Sequence, residues 1–187
     1  MNNSLVIAVS GLHGAGRSTQ ARMIASAFNL RYVSAGSLFR EYCKQEHLNL
    51  AEASEKLKND PKLDNYIDSR TKEEALKGSV VLEGDLVAWM AGELAEVKIF
   101  LTASDKVRFK RLAKREGKSI EEVARETLQR EANDRLRYSQ FYGIEFQNLN
   151  IYDIVLNTDR LPTDSVFRVL KTLIDEYAKL KTKQSSE

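Results

Sequence analysis

The feature that most constrains this chain is a glycine-rich segment that follows its first apolar run. Residues Gly11 to Ser18 have the sequence Gly-Leu-His-Gly-Ala-Gly-Arg-Ser and come directly after the β-branched run from Leu5 to Val9. Four residues separate Gly11 from Gly16, and a basic residue and a serine follow, which is the spacing of a phosphate-binding loop between a strand and a helix. The glycines let the backbone curl until several N–H groups face one phosphate. A glycine-rich turn without a ligand is the alternative, and the strand, the serine and the helical sequence together disfavour it.

The loop and the start of the next helix are therefore the predicted binding site for the phosphates of ATP. Its members are Gly11, Leu12, His13, Gly14, Ala15, Gly16, Arg17, Ser18 and Thr19. The hydroxyl of Ser18 is the expected protein ligand of Mg²⁺. Arg17 stands where lysine is usual; because arginine keeps the charge but is longer, planar and bidentate, we expect nucleotide binding to persist with a different grip on the phosphates. His13, at the crown of the loop, could contact the nucleotide, but an exposed loop position is favoured, and His47 is expected on a helix surface.

The remainder of the chain alternates short apolar runs with longer helical segments. The predicted strands are 5–9, 31–33, 80–82, 97–101 and 153–157. The predicted helices are 18–28, 36–47, 105–115, 120–138 and 164–180, with a polar, helix-rich stretch at 49–76 that breaks at Asp60-Pro61 and a frayed tail at 181–187. Strands that alternate with helices predict a three-layer α/β/α fold with a five-stranded parallel sheet. Ligands of such folds bind beyond the carboxyl ends of the strands.

Composition limits the classes of function. The chain has 187 residues, 42% of them hydrophobic and 30% charged, which fits one globular domain that covers residues 1–187. Its 29 basic and 27 acidic side chains give a net charge of only +2, so no general nucleic-acid surface is expected. The first residues lack a signal peptide, and no apolar run could span a bilayer, so a cytoplasmic protein that does not associate with membranes is expected. A monomer is also expected. The lone Cys43 is expected to be a buried apolar residue without a disulfide.

Two further segments carry arginines where an anion could bind. In Ser34-Ala35-Gly36-Ser37-Leu38-Phe39-Arg40, the glycine permits a tight turn after the second strand and Arg40 follows one helical turn later. An ordinary loop with a surface arginine explains this segment equally well. Arg130, Asp134 and Arg137 are spaced i, i+4 and i+7 and so share one helix face. Two cations around a carboxylate can face a shared anion, which we favour over simple helix-surface pairing.

These segments together resemble archaeal-type cytidylate kinases, which are phosphate-loop nucleoside monophosphate kinases. The resemblance extends from about Leu5 to about Ile174 and rests on segments in the same order. They are 11–18, 34–40, 81–84, 130–131 with 137–138, 142–145 and 151–153. The phosphate loop is common to many kinases, whereas the Ser-Ala-Gly-x-Leu-Phe-Arg and Tyr-Gly-Ile-Glu segments are more particular. The resemblance implies ATP with Mg²⁺ as donor, CMP or dCMP as acceptor, and transfer of the γ-phosphoryl group.

The resemblance also implies roles for single residues. Arg40 and Arg70 would hold the acceptor phosphate, with Ser34 and Gly36 near the acceptor nucleotide. Arg130 would bridge the donor and acceptor phosphates, with Arg137 beside it on the acceptor side. Asp134 would orient these arginines or contact the acceptor nucleotide. An acceptor-binding insertion would cover about 36–78, and a lid at about 105–138 would close over ATP with Arg108, Arg111 and Arg115. Glu83 would act on Mg²⁺ through water, and Arg17, Arg130 and Arg137 are the expected catalytic cations.

A further position, besides Arg17, departs from the family. Asp85 occupies a position that is often an arginine that helps hold the acceptor, so base preference or sugar contact could differ here. Trp89 and Met90 are expected to pack against neighbouring elements. Two other functions stay open at this stage: a kinase for UMP or AMP, and a non-catalytic nucleotide-binding module, which Arg17 and Asp85 favour. An RNA-binding role is disfavoured because the charge is near neutral and no aromatic RNA-binding signature is present.

Overall fold

A computed structural model describes residues 5–48 and 62–184. Five parallel strands form one sheet in the order β2-β3-β1-β4-β5. They are β1 Val6–Gly11, β2 Arg31–Ser34, β3 Val80–Glu83, β4 Val97–Thr102 and β5 Ile154–Asn157. The predicted five-stranded parallel sheet is thereby confirmed, and β1 lies at its centre.

Seven α-helices occur within the described residues. They are α1 Arg17–Ala27, α2 Ala35–Gln45, α3 Lys62–Leu76, α4 Val87–Ala91, α5 Asp105–Glu116, α6 Ile120–Tyr142 and α7 Thr163–Gln184. The short 3₁₀ helices Gly92–Leu94 and Leu149–Ile151 precede β4 and β5. In the described ranges, no helix combines the length and the apolar character that crossing a membrane requires.

The helix ends differ from the prediction by two or more residues in three places. Helix α6 continues to Tyr142, four residues beyond its predicted end. Helix α7 continues to Gln184, so the expected fraying is wrong for residues 181–184; Lys181 forms an ion pair with Glu96 at 2.8 Å in this last part of the helix. Helix α2 ends at Gln45, because His47 has a φ of 53° and cannot continue it. The predicted break at Asp60-Pro61 lies outside the described residues.

Two apolar cores cover the two faces of the sheet. Ile7 and Val9 of β1 face a core completed by α1 and α7, in which Ile24, Leu170 and Ile174 are fully buried. The alternate residues of β1, such as Val6 and Ala8, face a second core that includes α4. This alternation follows from the two-residue period of a strand and gives the three layers of the fold.

The strand register brings the chemically interesting residues to one edge. Ser34 lies opposite Glu83 in the β2–β3 pair, and Gly11 lies opposite Leu101 in the β1–β4 pair. The carboxyl ends of β1, β2 and β3 therefore meet side by side. Of the predicted site residues, Leu12 to Gly16 follow β1 and Asp85 follows β3 at this edge, and α1 and α2 begin beside it.

Candidate active site

The phosphate loop connects the central strand to α1. Gly14 and Gly16 have φ values of 81° and 98°, which side chains with a Cβ rarely adopt. The first hydrogen bond at the start of α1 runs from the Gln20 N–H to the Gly16 carbonyl. The N–H groups of Arg17, Ser18 and Thr19 therefore precede the helical ladder, where N–H groups are available to an anion.

A cleft of about 360 Å³ lies against this loop. Its lining includes His13 to Gln20 on one side and Arg111, Arg115 and Thr158 on the other. The Arg111 guanidinium donates to the hydroxyl and carbonyl of Thr158 at 2.9 and 2.8 Å, so it is fixed at the wall of the cleft. Arg115 is exposed and pairs with Glu116 at 2.5 Å. Two of the three predicted lid arginines thus lie beside the cleft.

Arg17 forms an ion pair with Asp85, which lies two residues beyond the end of β3. This pair joins the phosphate loop to the segment that follows β3. Its guanidinium also donates to the Gly11 carbonyl at 2.7 Å, and its Nε lies 3.6 Å from Glu83 Oε1. The two paired side chains are only 12% and 15% exposed. Asp85 accepts a second hydrogen bond from the Tyr138 hydroxyl of α6 at 3.0 Å.

The ion pair determines the charge state of both groups. Burial lowers the pKa of Arg17, but the carboxylates of Asp85 and Glu83 outweigh burial and raise it above its usual value. Burial raises the pKa of Asp85, but the charge of Arg17 outweighs burial and holds that pKa well below its usual range. Both groups are therefore charged throughout the physiological pH range, and their charges cancel locally.

A second buried ion pair connects α5, α6 and the phosphate loop. Arg108 is 2% exposed, and its guanidinium donates to Glu131 at 2.6 and 3.3 Å and to the His13 carbonyl at 2.9 Å. His13 Nδ1 lies 3.3 Å from the same Glu131. The expectation of an exposed loop histidine is wrong, because α6 covers that side of the loop. Arg108 lies beneath the loop with its guanidinium bound to protein acceptors, so only Arg111 and Arg115 of the predicted lid arginines line the cleft here.

Helix α6 contains the charged residues that the sequence predicts for the acceptor side. The Arg137 guanidinium donates to Asp134 at 3.1 Å, and its Nε lies 3.5 Å from Asp64 of α3. Arg130 is 67% exposed, with its Nε 3.6 Å from Asp134. The predicted i, i+4, i+7 face therefore exists, and it extends from solvent at Arg130 to the surface of α3 at Arg137.

The two halves of the site meet at three side chains. One nitrogen or oxygen atom from each of His13, Asp85 and Asp134 lies within 4.8 Å of the others. His13 belongs to the phosphate loop and Asp134 to the arginine face of α6, whereas Asp85 is paired with Arg17. The predicted donor-binding and acceptor-binding residues therefore border one another at the carboxyl edge of the sheet.

Asp64 and Asp68 of α3 contact Arg137 and Tyr142 of α6, and neither acid was predicted to lie near the site. The Tyr142 hydroxyl donates to Asp68 at 2.5 Å, which joins α6 to α3. Burial raises the pKa of Asp68 to about 6, even though the hydrogen bond from Tyr142 lowers it. The i, i+4 spacing of these two acids, which places them on one face of a helix, was the signal that could have identified them.

The remaining predicted acceptor residues are placed less tightly. Ser34 caps α2, since its hydroxyl accepts from the Ser37 N–H at 3.0 Å. Arg40 is exposed; a Cβ added to Gly36 would lie 3.6 Å from its guanidinium, so Arg40 lies over the glycine. Arg70 pairs with Glu73 at 2.8 Å and, more loosely, with Glu41 of α2. The structure brings these residues to the same edge as α6 but not into one contact network.

An aromatic cluster packs α4 against the segment that precedes β5. Trp89 of α4 packs against Phe146 and Tyr152, with ring centroids 6.1 and 5.5 Å apart. This packing confirms the expected structural role of Trp89. Cys43 is likewise buried, as expected, at 4% exposure.

Comparison with known proteins agrees with this geometry. A protein-family model described as an AAA domain matches residues 10–129. The cytidylate kinase of Staphylothermus marinus is 42% identical over 175 residues, which cover 94% of this chain and 99% of that protein. The cytidylate kinase of Pyrococcus horikoshii is 40% identical, covering 92% of this chain and 90% of that protein. The chain belongs to the cytidylate kinase family.

A solved structure supports the fold of this cytidylate kinase family member independently. The shikimate kinase of Bacteroides thetaiotaomicron superimposes with a TM-score of 0.62 over 91% of this chain and 98% of that chain, at 19% identity. Such a low identity supports the fold alone. Family membership together with this fold confirms the predicted phosphate-loop kinase architecture.

Proposed function

We propose that the protein transfers the γ-phosphoryl group of ATP to CMP, or to dCMP, and so forms ADP and CDP. The observation that carries this proposal is the close approach of the phosphate loop and the arginine face of α6 around Asp85. Relatives named cytidylate kinases that match over nearly their whole length support CMP as the acceptor. A monomeric enzyme in the cytoplasm is part of the same proposal.

Phosphoryl transfer of this kind asks the protein for positioning and charge rather than for covalent chemistry. Donor and acceptor are both anions, so they repel each other unless cations lie between them. Arg17 would neutralise the donor phosphates once it leaves Asp85. Arg130, with its exposed guanidinium, would reach the phosphoryl group in transfer, and Arg137 would hold the acceptor. An acceptor phosphate is already a nucleophilic anion, so no general base is needed.

The donor side fits the phosphates of ATP and an accompanying Mg²⁺. The N–H groups at the start of α1 and the guanidinium of Arg111 surround the cleft. Oxygen ligands suit Mg²⁺, and Ser18 and Glu83 would hold it, Glu83 through a water molecule. When bound, Mg²⁺ neutralises charge on the donor phosphates. Arg115 and the α5–α6 region would close over ATP and exclude water that would otherwise hydrolyse it.

Two alternatives have specific support. A kinase for UMP or AMP is favoured by Asp85, because that acid replaces a cation that often helps hold the acceptor. A non-catalytic nucleotide-binding module is favoured by the Arg17–Asp85 pair, because the main donor-side cation is neutralised in this structure. The acceptor is thus the least constrained part of the proposal.

A substrate panel tests the proposal. ADP formation would be measured with Mg-ATP and each of CMP, dCMP, UMP, AMP and GMP, beside a reaction without acceptor. The proposal predicts the highest kcat/KM with CMP or dCMP and little ADP in the blank. Faster turnover with UMP or AMP would move the assignment to that acceptor. ATP binding without turnover on any acceptor would support the non-catalytic module instead.

A further inference from the structure

The side chain of Asp85 does not face solvent as an unpaired acceptor-site residue would. One carboxylate oxygen accepts from Arg17 and the other from the Tyr138 hydroxyl at 3.0 Å. Both oxygens are thus used within the protein. The basic side chain that pairs with Asp85 is Arg17 of the phosphate loop, and not one of the arginines predicted for the acceptor side.

Arg17 is correspondingly held on the side of β3. Its Nη1 donates both to Asp85 and to the Gly11 carbonyl, and Glu83 lies 3.6 Å from its Nε. Two carboxylates and a carbonyl therefore surround one guanidinium. ATP phosphates that enter the cleft must compete with these oxygens for the same cation.

We propose that Asp85 is a positioning residue that occupies Arg17 in the absence of nucleotide, so that binding of ATP requires exchange of the Asp85 carboxylate for phosphate oxygens. Asp85 then acts on donor affinity through Arg17 rather than on the acceptor directly. The inference rests on the proposed binding of ATP at the phosphate loop. It assigns this chain a lower affinity for ATP than its phosphate loop would have without the acid.

The physical reason is competition between anions for one buried cation. A charge-assisted hydrogen bond in a mostly buried pair is stronger than one at the surface, so breaking it opposes binding. The remaining charge of Asp85 would also lie near the incoming phosphates and repel them.

Tyr138 connects this pair to α6. Its hydroxyl fixes the second oxygen of Asp85, and its ring is buried at 6% exposure. The same helix carries Arg130, Asp134 and Arg137. The position of Asp85, and hence of Arg17, is therefore set by two elements: the end of β3 and the helix with the acceptor-side arginines.

A double-mutant cycle tests the proposal. Calorimetric titration with ATP, in the absence of any acceptor, would give Kd for the wild type, Asp85→Asn, Arg17→Met and the double variant. The proposal predicts that Asp85→Asn binds ATP about tenfold more tightly than the wild type. Arg17→Met should weaken binding only about threefold in the wild-type background, but tenfold or more in the Asp85→Asn background.

The controls separate this effect from general changes in charge or folding. Asp175→Asn makes the same change in charge on α7, where Asp175 pairs with Lys171, and should leave Kd unchanged. Asp85→Glu keeps the carboxylate and should bind ATP more weakly than Asp85→Asn. If Asp85→Asn does not fold, Asp85→Ser serves as the neutral variant, and thermal unfolding reports which variants are native.

Two outcomes would overturn the proposal. One is equal or weaker binding of ATP by the neutral Asp85 variants, and the other is the same cost of Arg17→Met in both backgrounds. Neither outcome bears on the transfer of phosphate to CMP by the wild type, so the proposed function would stand. Failure of all folded variants, including the wild type, to bind ATP would contradict both the proposed function and this inference.

Discussion

Arg108 of α5 and Glu131 of α6 form a buried ion pair with two hydrogen bonds, at 2.6 and 3.3 Å. His13 of the phosphate loop contacts the same carboxylate, and the Arg108 guanidinium also donates to the His13 carbonyl. These contacts connect α5 and α6, the two helices of the predicted lid, to each other and to the phosphate loop. The Arg108 guanidinium is therefore bound to protein acceptors in this structure and holds α5, α6 and the loop together.

Loss of Glu131 should lower stability strongly. Glu131→Gln removes the buried counter-ion of Arg108 and leaves only Asp105, whose side chain is 60% exposed, to pair with this buried guanidinium. Removal of one partner of a buried pair costs about 3 kcal/mol or more. Denaturant unfolding at pH 7 measures the change in the free energy of unfolding. Glu126→Gln on the same helix, where the acid is exposed and pairs with Lys118, is the control and should change stability by less than about 0.5 kcal/mol.

The effect of Glu131 should depend on pH in a defined direction. Burial raises the pKa of Glu131, but hydrogen bonds from His13 and Arg108 outweigh burial and lower it to about 2 in the folded protein. Because an unfolded glutamate titrates near about 4.3, the stabilisation is complete above that pH and is lost as the pH falls toward 2. The difference in unfolding free energy between the wild type and Glu131→Gln should therefore shrink as the pH falls from about 4.3 toward about 2. A constant difference across that range would contradict the assignment of the ion pair.

Asp68 should show the opposite sign. Burial raises its pKa to about 6, so the folded protein holds a proton that the unfolded chain releases near about 3.9. Its ionisation therefore opposes folding as the pH rises from about 4 to 6. The wild type should lose stability over this range relative to Asp68→Asn, as measured by denaturant unfolding at a series of pH values. Parallel stability curves for the two proteins would count against the raised pKa.

Arg130→Ala should reduce catalysis and leave the fold unchanged. Its side chain is 67% exposed, so a change in stability within about 0.5 kcal/mol is expected. A cation that stabilises the transferring group contributes roughly 10²–10³-fold to kcat. Steady-state kinetics with CMP measure the loss, and Arg125→Ala, an exposed arginine of the same helix, should retain full activity. Equal kcat values for the two variants would remove Arg130 from the catalytic group.

Gly14→Ala should disturb the phosphate loop through backbone strain and through a steric clash. Gly14 has a φ of 81°, and an added Cβ would lie 2.8 Å from the Arg108 carbonyl oxygen. Gly117→Ala is the matched control: its φ of 68° is equally unfavourable to alanine, but its Cβ would meet nothing within 4 Å. Both variants should lose about 1–2 kcal/mol of stability from the backbone strain, and Gly14→Ala should lose more. Calorimetry should find weaker ATP binding only for Gly14→Ala.

The strands and the phosphate loop could be predicted because their signals are local. The run from Leu5 to Val9 has the apolar character of a strand buried on both faces, and the glycine spacing that follows it dictates the backbone path. The arginine face of α6 could be predicted for the same reason, since three residues on one helix share a fixed geometry. These features depend on neighbours within a few residues.

The charge partners could not be predicted, because they are distant in sequence. Arg17 and Asp85 are 68 residues apart, and only the β1–β3 pairing brings them together. The burial of Arg108 could not be predicted from the charged sequence of α5, because its partner Glu131 belongs to α6. His13 was expected to be exposed for the same reason, since the covering element lies 118 residues further along the chain. Each misjudged residue thus depends on a tertiary contact.

Phosphorus NMR of the protein with Mg-ATP and CMP tests the central claim most directly, because it observes the transferred group itself. We expect the signals of ADP and CDP to increase at equal rates while the γ-phosphate signal of ATP declines, and little inorganic phosphate to form. Equal formation would mean that the γ-phosphoryl group passes from donor to acceptor with water excluded. Release of inorganic phosphate without CDP, or no change in the ATP signals, would contradict the assignment of the protein as a kinase that phosphorylates CMP.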